Sequence, residues 1–410
     1  MKKIYLLFLL IIQVHLVVSQ QKKELDYDIN YDEDKVPVYQ LPPLLESSTG
    51  NVISSSDEWY NHRRPEIVSL FSNLMYGNIP VPTDPIKTEY LIMKEDSNFL
   101  DGKGTRKDLC IKIKNNRGEI EMKVLVVIPN KKEKPLPAFM MISFDASDSE
   151  KLQLSSKNNG RFNNGWPVGQ LLDSGFAFVS VYHQDLVKHN DVDFESGIHP
   201  LFYQENQSFP KANEWGVLAA CGYGASIALD YLETDQDIDH KRVAVLGHSK
   251  LGKAALWAGA RDTRFAMSIS ANSGCAGAAL WRRKYGETLQ KMCTRFPYWM
   301  CYNAQKFIDR EEDLPIDQHM LLALMAPRPV YVATSAKDSW ADPRGEYLSA
   351  YHASEVYELF DKTGLKFMEN PPLNKAFIEQ DIGFHLRDGG HYIADYDWHR
   401  FIDFANYHFK

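Results

Sequence analysis

Six compact apolar runs, each bounded by turn-forming residues, recur between about residue 120 and residue 335. They have the length and aliphatic content that are typical of strands buried on both faces of a sheet. The runs are KVLVVIP (123–129), PAFMMISF (137–144), FAFVSVY (176–182), RVAVLG (242–247), FAMSISA (265–271) and RPVYVATS (328–335). Helical patterns lie between them, at 214–233 and 252–262. Strands that alternate with helices predict an α/β fold, a three-layer αβα sandwich with a mainly parallel central sheet.

The N-terminus has the pattern of a secretory signal peptide. Two lysines follow Met1, the apolar stretch 4–18 comes next, and the small residue Ser19 ends it. We predict a signal peptide over residues 1–20 and hence a secreted or periplasmic protein. A membrane anchor is the alternative, but the apolar stretch is shorter than the roughly 20 residues that a spanning helix needs. No later run is long and apolar enough to span a bilayer.

The rest of the chain is predicted to hold one domain. Residues 21–35 are charged and poor in aliphatic side chains, which predicts a solvated linker. Residues 36–410 then form a single domain with an N-terminal extension. Within that extension, EWYNHRRPEIVSLFSNLMYG (58–77) predicts an amphipathic helix that ends at Gly77.

Charge and cysteine content restrict the partners of the protein. The net charge of −8 argues against nucleic acid, because phosphate binding needs a basic surface. Five cysteines leave at least one unpaired, and their pairing cannot be read from the sequence. No CxxC or HExxH spacing indicates a metal site. We therefore expect no metal, no cofactor and no membrane span, and we expect a monomer.

The stretch VLGHSKLGKAAL (245–256) is compatible with two motifs that both sit between a strand and a helix. As a phosphate-binding P-loop it would use Lys253, but Ala254 stands where the motif needs a Mg²⁺-binding hydroxyl. As a nucleophile elbow it would present Ser249 on a sharp turn, with Leu251 in place of the second glycine of the pattern. A serine that merely caps the helix is the simplest alternative.

The order of possible partners favours the elbow. Asp338 and Asp342 follow the last apolar run, and His391 follows two glycines near the C-terminus. Hydrolases with such an elbow carry serine, acid and histidine in this order along the chain. Taken singly, His391 could be a surface histidine and Asp338 a turn residue. Together they predict a triad in which serine attacks, histidine transfers the proton and the carboxylate orients the imidazole.

Several long blocks of the chain resemble one enzyme family. The blocks include VAVLGHSKLGKAALWAGARDTRFAMSISANSGCAGAALWRRKYGE, LPIDQHMLLALMAPRPVYVATSAKDSWADPRGEYL and HLRDGGHYIADYDWHRFIDF. They closely resemble the bacterial glucuronoyl esterases, carbohydrate esterase family 15, and the resemblance extends from about residue 36 to the end. It implies an α/β-hydrolase that cleaves the ester between the glucuronic acid of xylan and lignin alcohols, a 4-O-methyl-glucuronoyl methylesterase.

The resemblance also implies roles for individual residues. Ser249 matches the nucleophile of the family and His391 its base. Fungal members carry the acid where this chain has Asn272, whereas bacterial members can place it after a later strand, which points to Asp338. Lys250 stands beside the nucleophile, where most members use an arginine for the oxyanion. Lysine keeps the charge but lacks the planar fork of arginine.

Two further residues, Lys253 and Glu287, match positions that contact the sugar in the family, and Trp340 is a third candidate for sugar contact from its place in the chain. Lys253 follows Ser249 by four residues and so lies one helical turn away on the same face; its alternative is a solvated lysine. Glu287 could equally be a carboxylate on a helix surface. Trp340 follows Asp338 by two residues, and its indole can stack on a pyranose ring.

Two other functions stay open. One is an acetyl-xylan or general carbohydrate esterase on the same scaffold. The other is a catalytically impaired, glycan-binding homologue, which the Lys250 departure makes conceivable.

Overall fold

The structure is a computed structural model that describes residues 29–131, 133, 135–145, 166–187 and 194–409. The predicted signal peptide, residues 1–20, and residues 21–28 of the predicted linker lie outside the described residues. Both stay predictions.

A single ten-stranded sheet runs through the described part of the chain, in the order β1-β2-β3-β5-β4-β6-β7-β8-β10-β9. The strands are β1 (Lys87–Asn98), β2 (Gly104–Asn115), β3 (Gly118–Pro129), β4 (Leu136–Ser143), β5 (Ala177–Tyr182), β6 (Ile238–His248), β7 (Met267–Ala271), β8 (Val330–Ser335), β9 (Lys375–Phe377) and β10 (Ile382–Arg387). The stretch β5-β4-β6-β7-β8-β10 is parallel, and the pairs outside it are antiparallel. The mainly parallel sheet is confirmed, and the six apolar runs form β3 to β8.

Helices cover both faces of this sheet. The α-helical segments are α1 (Ser56–Glu58), α2 (Arg64–Phe71), α3 (Phe99–Gly102), α4 (Val168–Asp173), α5 (Val217–Leu232), α6 (Lys250–Arg261), α7 (Leu289–Arg295), α8 (Gln318–Ala323), α9 (Pro343–Glu358) and α10 (Asp395–His408). One buried apolar cluster contains side chains of α5, α6 and α9, and a second contains side chains of α4 and α10. Strands buried on both faces have no polar side, which is why they read as continuous apolar runs.

The predicted helix 58–77 is confirmed. The chain is helical from Ser56 to Tyr76, where α1 and α2 alternate with two π-helical turns. It ends at Gly77, whose φ of 88° favours glycine. A Cβ at Gly77 would also overlap the backbone of Trp215, so glycine lets this extension pack closely on the domain.

The described end of the predicted linker, residues 29–35, is attached to the domain. The backbone oxygen of Asn30 accepts a hydrogen bond from the Gly286 N–H at 2.9 Å. The carboxylate of Glu33 lies 2.8 Å from Arg283 and 3.2 Å from Arg344. The segment is mostly exposed, as its charge suggested, but two guanidinium groups hold Glu33 to the domain.

The described part of the chain contains no helix that is both long and apolar enough to cross a membrane. Within the same residues, no cluster of three or more His, Cys, Asp or Glu side chains could hold a metal ion. The five cysteines all fall in the described ranges and are buried, and none of them forms a disulfide.

Candidate active site

Ser249 occupies the sharp turn between β6 and α6. Its backbone has φ 56° and ψ −128°, a conformation that side-chain-bearing residues rarely adopt. A Cβ at Gly247 would overlap the carbonyl of Leu251, so this position requires glycine. Leu251, which stands where the pattern has its second glycine, is fully buried. The turn therefore has the geometry of a nucleophile elbow.

His391 connects the serine to a carboxylate. Its Nε2 lies 2.7 Å from Ser249 Oγ, and its Nδ1 lies 2.6 Å from Asp338 Oδ2. With neutral imidazole, Nδ1–H donates to Asp338 and Nε2 accepts the hydroxyl proton of Ser249. The structure thus brings together the three residues that the sequence proposed as a triad.

Asn272 is a second partner of Asp338. Its amide nitrogen donates to Asp338 Oδ2 at 2.7 Å. Burial opposes ionisation of Asp338, but the hydrogen bond and charge of His391, together with the Asn272 amide, outweigh it and lower the pKa of the carboxyl. Sequence reasoning identified Asn272 only as the place of the acid in fungal relatives, and missed this contact.

Asp342 does not join the triad. Its carboxylate pairs with Arg283 Nε at 2.8 Å and accepts from the Gly345 N–H at 3.0 Å, which caps α9. Burial raises the pKa of Asp342 despite the neighbouring guanidinium. Asp342 therefore serves the structure around the acid loop, the loop after β8 that carries Asp338.

His248, which the sequence analysis did not single out, packs against His391. Its ring centroid lies 4.7 Å from that of His391. Burial, followed by the proximity of His391, lowers the pKa of His248 to about 3. This ring stays neutral at any working pH and adds no positive charge beside His391. The sequence signal that could have identified His248 was its position directly before Ser249.

Lys250 begins α6 directly after the serine. Its side chain is buried, and Nζ lies 5.5 Å from the centroid of the Trp299 ring, within the range of a cation–π contact. Trp299 in turn stacks on Phe296, with ring centroids 3.9 Å apart. The Lys250 ammonium thus lies at the elbow against the stacked rings of Trp299 and Phe296.

Lys253 and Glu287 contact each other. Lys253 Nζ donates to Glu287 Oε2 and to Ser273 O, each at 2.6 Å, and also to Cys275 O. Three acceptors match the three protons of the ammonium, and the side chain is buried. Such a lysine is unlike a P-loop lysine, which must reach a phosphate, and it is also not the solvated lysine of the alternative interpretation.

Trp340 lies beside this pair. Its backbone oxygen accepts from the Glu287 N–H at 2.8 Å, and its half-buried indole faces the Arg295 guanidinium at 6.0 Å. The three residues proposed for sugar contact therefore form one connected group, which is joined to the acid loop through the backbone of Trp340.

A strained serine at a strand–helix turn, a histidine and a buried carboxylate on a mainly parallel sheet define a serine hydrolase of the α/β-hydrolase class. Comparisons with known proteins specify the family. A family model described as glucuronyl esterase, fungi, matches residues 111–361. Carbohydrate esterase MZ0003, from an unknown prokaryotic organism, is 38% identical over 405 residues, which covers 92% of each chain.

Solved structures agree with this match. A glucuronoyl esterase from Solibacter usitatus superposes with a TM-score of 0.83 at 36% identity, over 92% of this chain and 100% of that one. A promiscuous esterase of carbohydrate esterase family 15 from a marine bacterial metagenome has a TM-score of 0.82 at 39% identity, over 93% and 100%. The chain belongs to the glucuronoyl esterases, carbohydrate esterase family 15, and is a carboxylic ester hydrolase.

Proposed function

We propose that the protein is an exported esterase that hydrolyses the ester between the glucuronic acid of glucuronoxylan and a lignin alcohol. The observation that carries the mechanism is the unbroken hydrogen-bond chain from Ser249 through His391 to Asp338, at 2.7 and 2.6 Å. The N-terminal signal-peptide pattern supports export. Relatives named 4-O-methyl-glucuronoyl methylesterase support the uronate ester as substrate.

The proposed reaction has two halves. Ser249 Oγ attacks the ester carbonyl at C6 while His391 Nε2 takes the serine proton, and the imidazolium then protonates the departing alcohol. Water attacks the acyl-enzyme with His391 again as base, which releases glucuronate and free serine. Asp338 keeps the Nδ1–H tautomer in place and stabilises the imidazolium. None of these steps uses a cofactor.

The oxyanion of each half-reaction would form beside the start of α6. The backbone N–H of Lys250 is the donor that an elbow directs at this oxygen. The buried ammonium of Lys250 supplies a positive charge from the same residue. We assign Lys250 to the oxyanion on these grounds.

The uronate ring would contact the group formed by Lys253, Glu287 and Trp340. Because the Lys253 protons are all engaged by protein acceptors, we assign this lysine mainly to holding Glu287 and the turn 273–275 in place. The Glu287 carboxylate would accept a hydrogen bond from a sugar hydroxyl, and the indole of Trp340 would pack on the sugar ring.

A broader esterase activity is the second candidate. The marine metagenomic relative is described as promiscuous, and it is 39% identical to this chain. A purified enzyme that hydrolyses benzyl glucuronate at least about tenfold more efficiently than acetylated xylan would support the uronate proposal, and the opposite ranking would reject it. Ser249→Ala separates both esterases from a glycan-binding homologue, because only an enzyme loses turnover while uronate binding persists.

The oxyanion role of Lys250 has its own test. Lys250→Met keeps most of the apolar side chain that faces Trp299 but removes the charge. We expect kcat on benzyl glucuronate to fall about 10²-fold with little change in KM, as when one oxyanion donor is lost. Lys250→Arg restores the charge and should retain most of kcat. Equal kcat in the methionine variant and the wild type would remove Lys250 from the mechanism.

A further inference from the structure

The loop that carries His391 has an alternating pattern of backbone contacts. The carbonyl oxygens of residues 388, 390 and 392 all accept from the Arg387 guanidinium, the first at 3.0 Å and the second at 3.3 Å. The carbonyl oxygens of residues 387 and 389 point the other way and accept from the N–H groups of Ala336 and Lys337, both at 2.9 Å. His391 thus lies in a segment that is fixed on one side by a buried cation and on the other by the acid loop.

Arg387 is itself anchored to α10. Its Nε donates to both carboxylate oxygens of Asp397, at 2.9 and 2.8 Å, and both side chains are buried. Asp397 also accepts from His385 Nε2 at 2.7 Å and from the Ala394 N–H at 2.6 Å. The carboxylate is therefore fully engaged, and its charge compensates that of Arg387 in the interior.

This set of contacts requires the planar guanidinium group of arginine. One planar fork provides five N–H donors, enough for the Asp397 carboxylate and three carbonyls at once, whereas a lysine ammonium provides three from one point. Gly389 makes room for the fork, because a Cβ there would overlap Arg387 Nη1 and would lie 2.8 Å from Tyr392 Oη. The φ of 123° at Gly389 also favours glycine.

We propose that Arg387, held by Asp397, is a positioning residue that sets the place of His391 between Ser249 and Asp338. The proposal rests on the proposed function of that triad. Arg387 touches no reacting atom in this role. It acts because a displacement of about 1 Å in a catalytic group can cost about 10²-fold in rate.

The first test compares Arg387→Lys with Arg282→Lys. Arg282 is a matched control, since it is also buried and also binds one aspartate, Asp317, and carbonyl oxygens of the segment 312–316. The assay is the rate at which a fluorophosphonate labels the serine. In that reaction Ser249 Oγ bonds to phosphorus, fluoride leaves, and His391 accepts the serine proton. The labelling rate therefore measures the reactivity of the triad, independently of the ester that the enzyme prefers.

At a temperature where all variants are folded, we expect Arg387→Lys to slow labelling about 10²-fold and to lower kcat on benzyl glucuronate equally, with little change in KM. Arg282→Lys should lower Tm but keep the labelling rate. Wild-type labelling in Arg387→Lys, or equal slowing in both variants, overturns the proposal. If the wild type is labelled but does not hydrolyse benzyl glucuronate, the proposed function fails while the labelling comparison still decides the role of Arg387.

Glycine variants keep the proposal testable if Arg387→Lys does not fold. Gly389→Ala pushes against Arg387 Nη1, whereas Gly175→Ala introduces the same change at a positive φ of 87° with nothing within 4 Å of the new Cβ. We expect labelling to slow at least about tenfold in Gly389→Ala and to stay unchanged in Gly175→Ala. Equal labelling rates in the two variants would contradict the proposal.

Discussion

Asn272 and Asp338 are two side chains that meet although 66 residues separate them in the chain. Asn272 directly follows β7, and Asp338 lies in the loop after β8, the neighbouring parallel strand. Carboxyl ends of parallel strands lie at the same edge of a sheet, so an acid after either strand can approach the same histidine. The same arrangement explains why the Asn272 amide, which follows β7, can donate to Asp338, which follows β8.

Asn272→Asp is expected to shift the pH dependence of hydrolysis. The exchange replaces an amide that donates to Asp338 by a second carboxylate, so the pKa of Asp338, which is lowered in the wild type, should rise. A protonated Asp338 no longer stabilises the imidazolium that forms during proton transfer. The acidic limb of kcat/KM should therefore move to higher pH, which a pH–rate profile on benzyl glucuronate measures.

Asn272→Ala is the control for the charge in this experiment. It removes the donor without adding a carboxylate, so its acidic limb should move in the same direction but less far. An Asn272→Asp profile that coincides with that of the wild type would show that the carboxylates do not interact.

At the level of whole elements, the sequence predicted the central strands and missed the outer ones. The six apolar runs became β3 to β8 because helices cover both of their faces. β1 is largely exposed along its length and carries charged side chains, so it has no apolar signal. β10 is buried but contains His385 and Arg387, which both bind Asp397 on α10. That partner becomes visible only in the folded chain.

The residues of the candidate site likewise divide into those that the sequence could indicate and those that it could not. Ser249, Asp338 and His391 could be proposed because their chain order and turn residues are local signals. The contribution of Arg387 could not be proposed from the sequence, because it depends on loop carbonyls that converge only after β10 and α10 pack together. A buried side chain that binds backbone leaves no pattern in the sequence.

Helix α9 carries Glu346, a second buried side chain that binds backbone groups near the site. Its Oε1 accepts from the N–H groups of Ser273 and Gly274, at 2.8 and 2.9 Å, and so holds the turn that follows Asn272. Burial raises the pKa of Glu346 from 4.5 to about 7. Between these values the folded protein keeps a proton that the unfolded chain loses. The free energy of unfolding contributed by this group therefore falls as pH rises from about 4.5 to 7.

Glu346→Gln should remove that pH dependence. The glutamine carbonyl can still accept both N–H bonds, but it carries no proton to lose. Relative to the wild type, we expect the variant to gain about 3 kcal/mol of unfolding free energy between pH 4.5 and pH 8, at about 1.4 kcal/mol per pKa unit. Urea denaturation at both pH values measures the difference. Glu358→Gln, an exposed change on the same helix, should show no such gain, and an equal gain there would contradict the assignment.

On the scale of the whole molecule, the sheet gathers the site at one edge. Ser249 follows β6 and His391 follows β10, with β7 and β8 between these two strands in the sheet. The turn after β7 supplies Asn272 and the carbonyls that hold Lys253, and the loop after β8 supplies Asp338 and Trp340. Because adjacent parallel strands place these loops side by side, separate parts of the chain form one site.

The five cysteines give the final prediction, since they test the fold and the proposed export together. All are buried and outside any disulfide, and burial raises the pKa of Cys293 to about 12 and that of Cys301 to about 11. An exported protein meets oxidising conditions, but thiolates are the species that react; burial keeps the Cys293 and Cys301 thiols protonated and all five thiols covered. Unreduced protein should therefore yield five thiols per chain on reaction with Ellman's reagent in denaturant, few in the native state, and the same Tm with and without dithiothreitol. Three thiols in the unreduced, denatured protein, together with a Tm that falls on reduction, would instead indicate a disulfide that the structure does not contain.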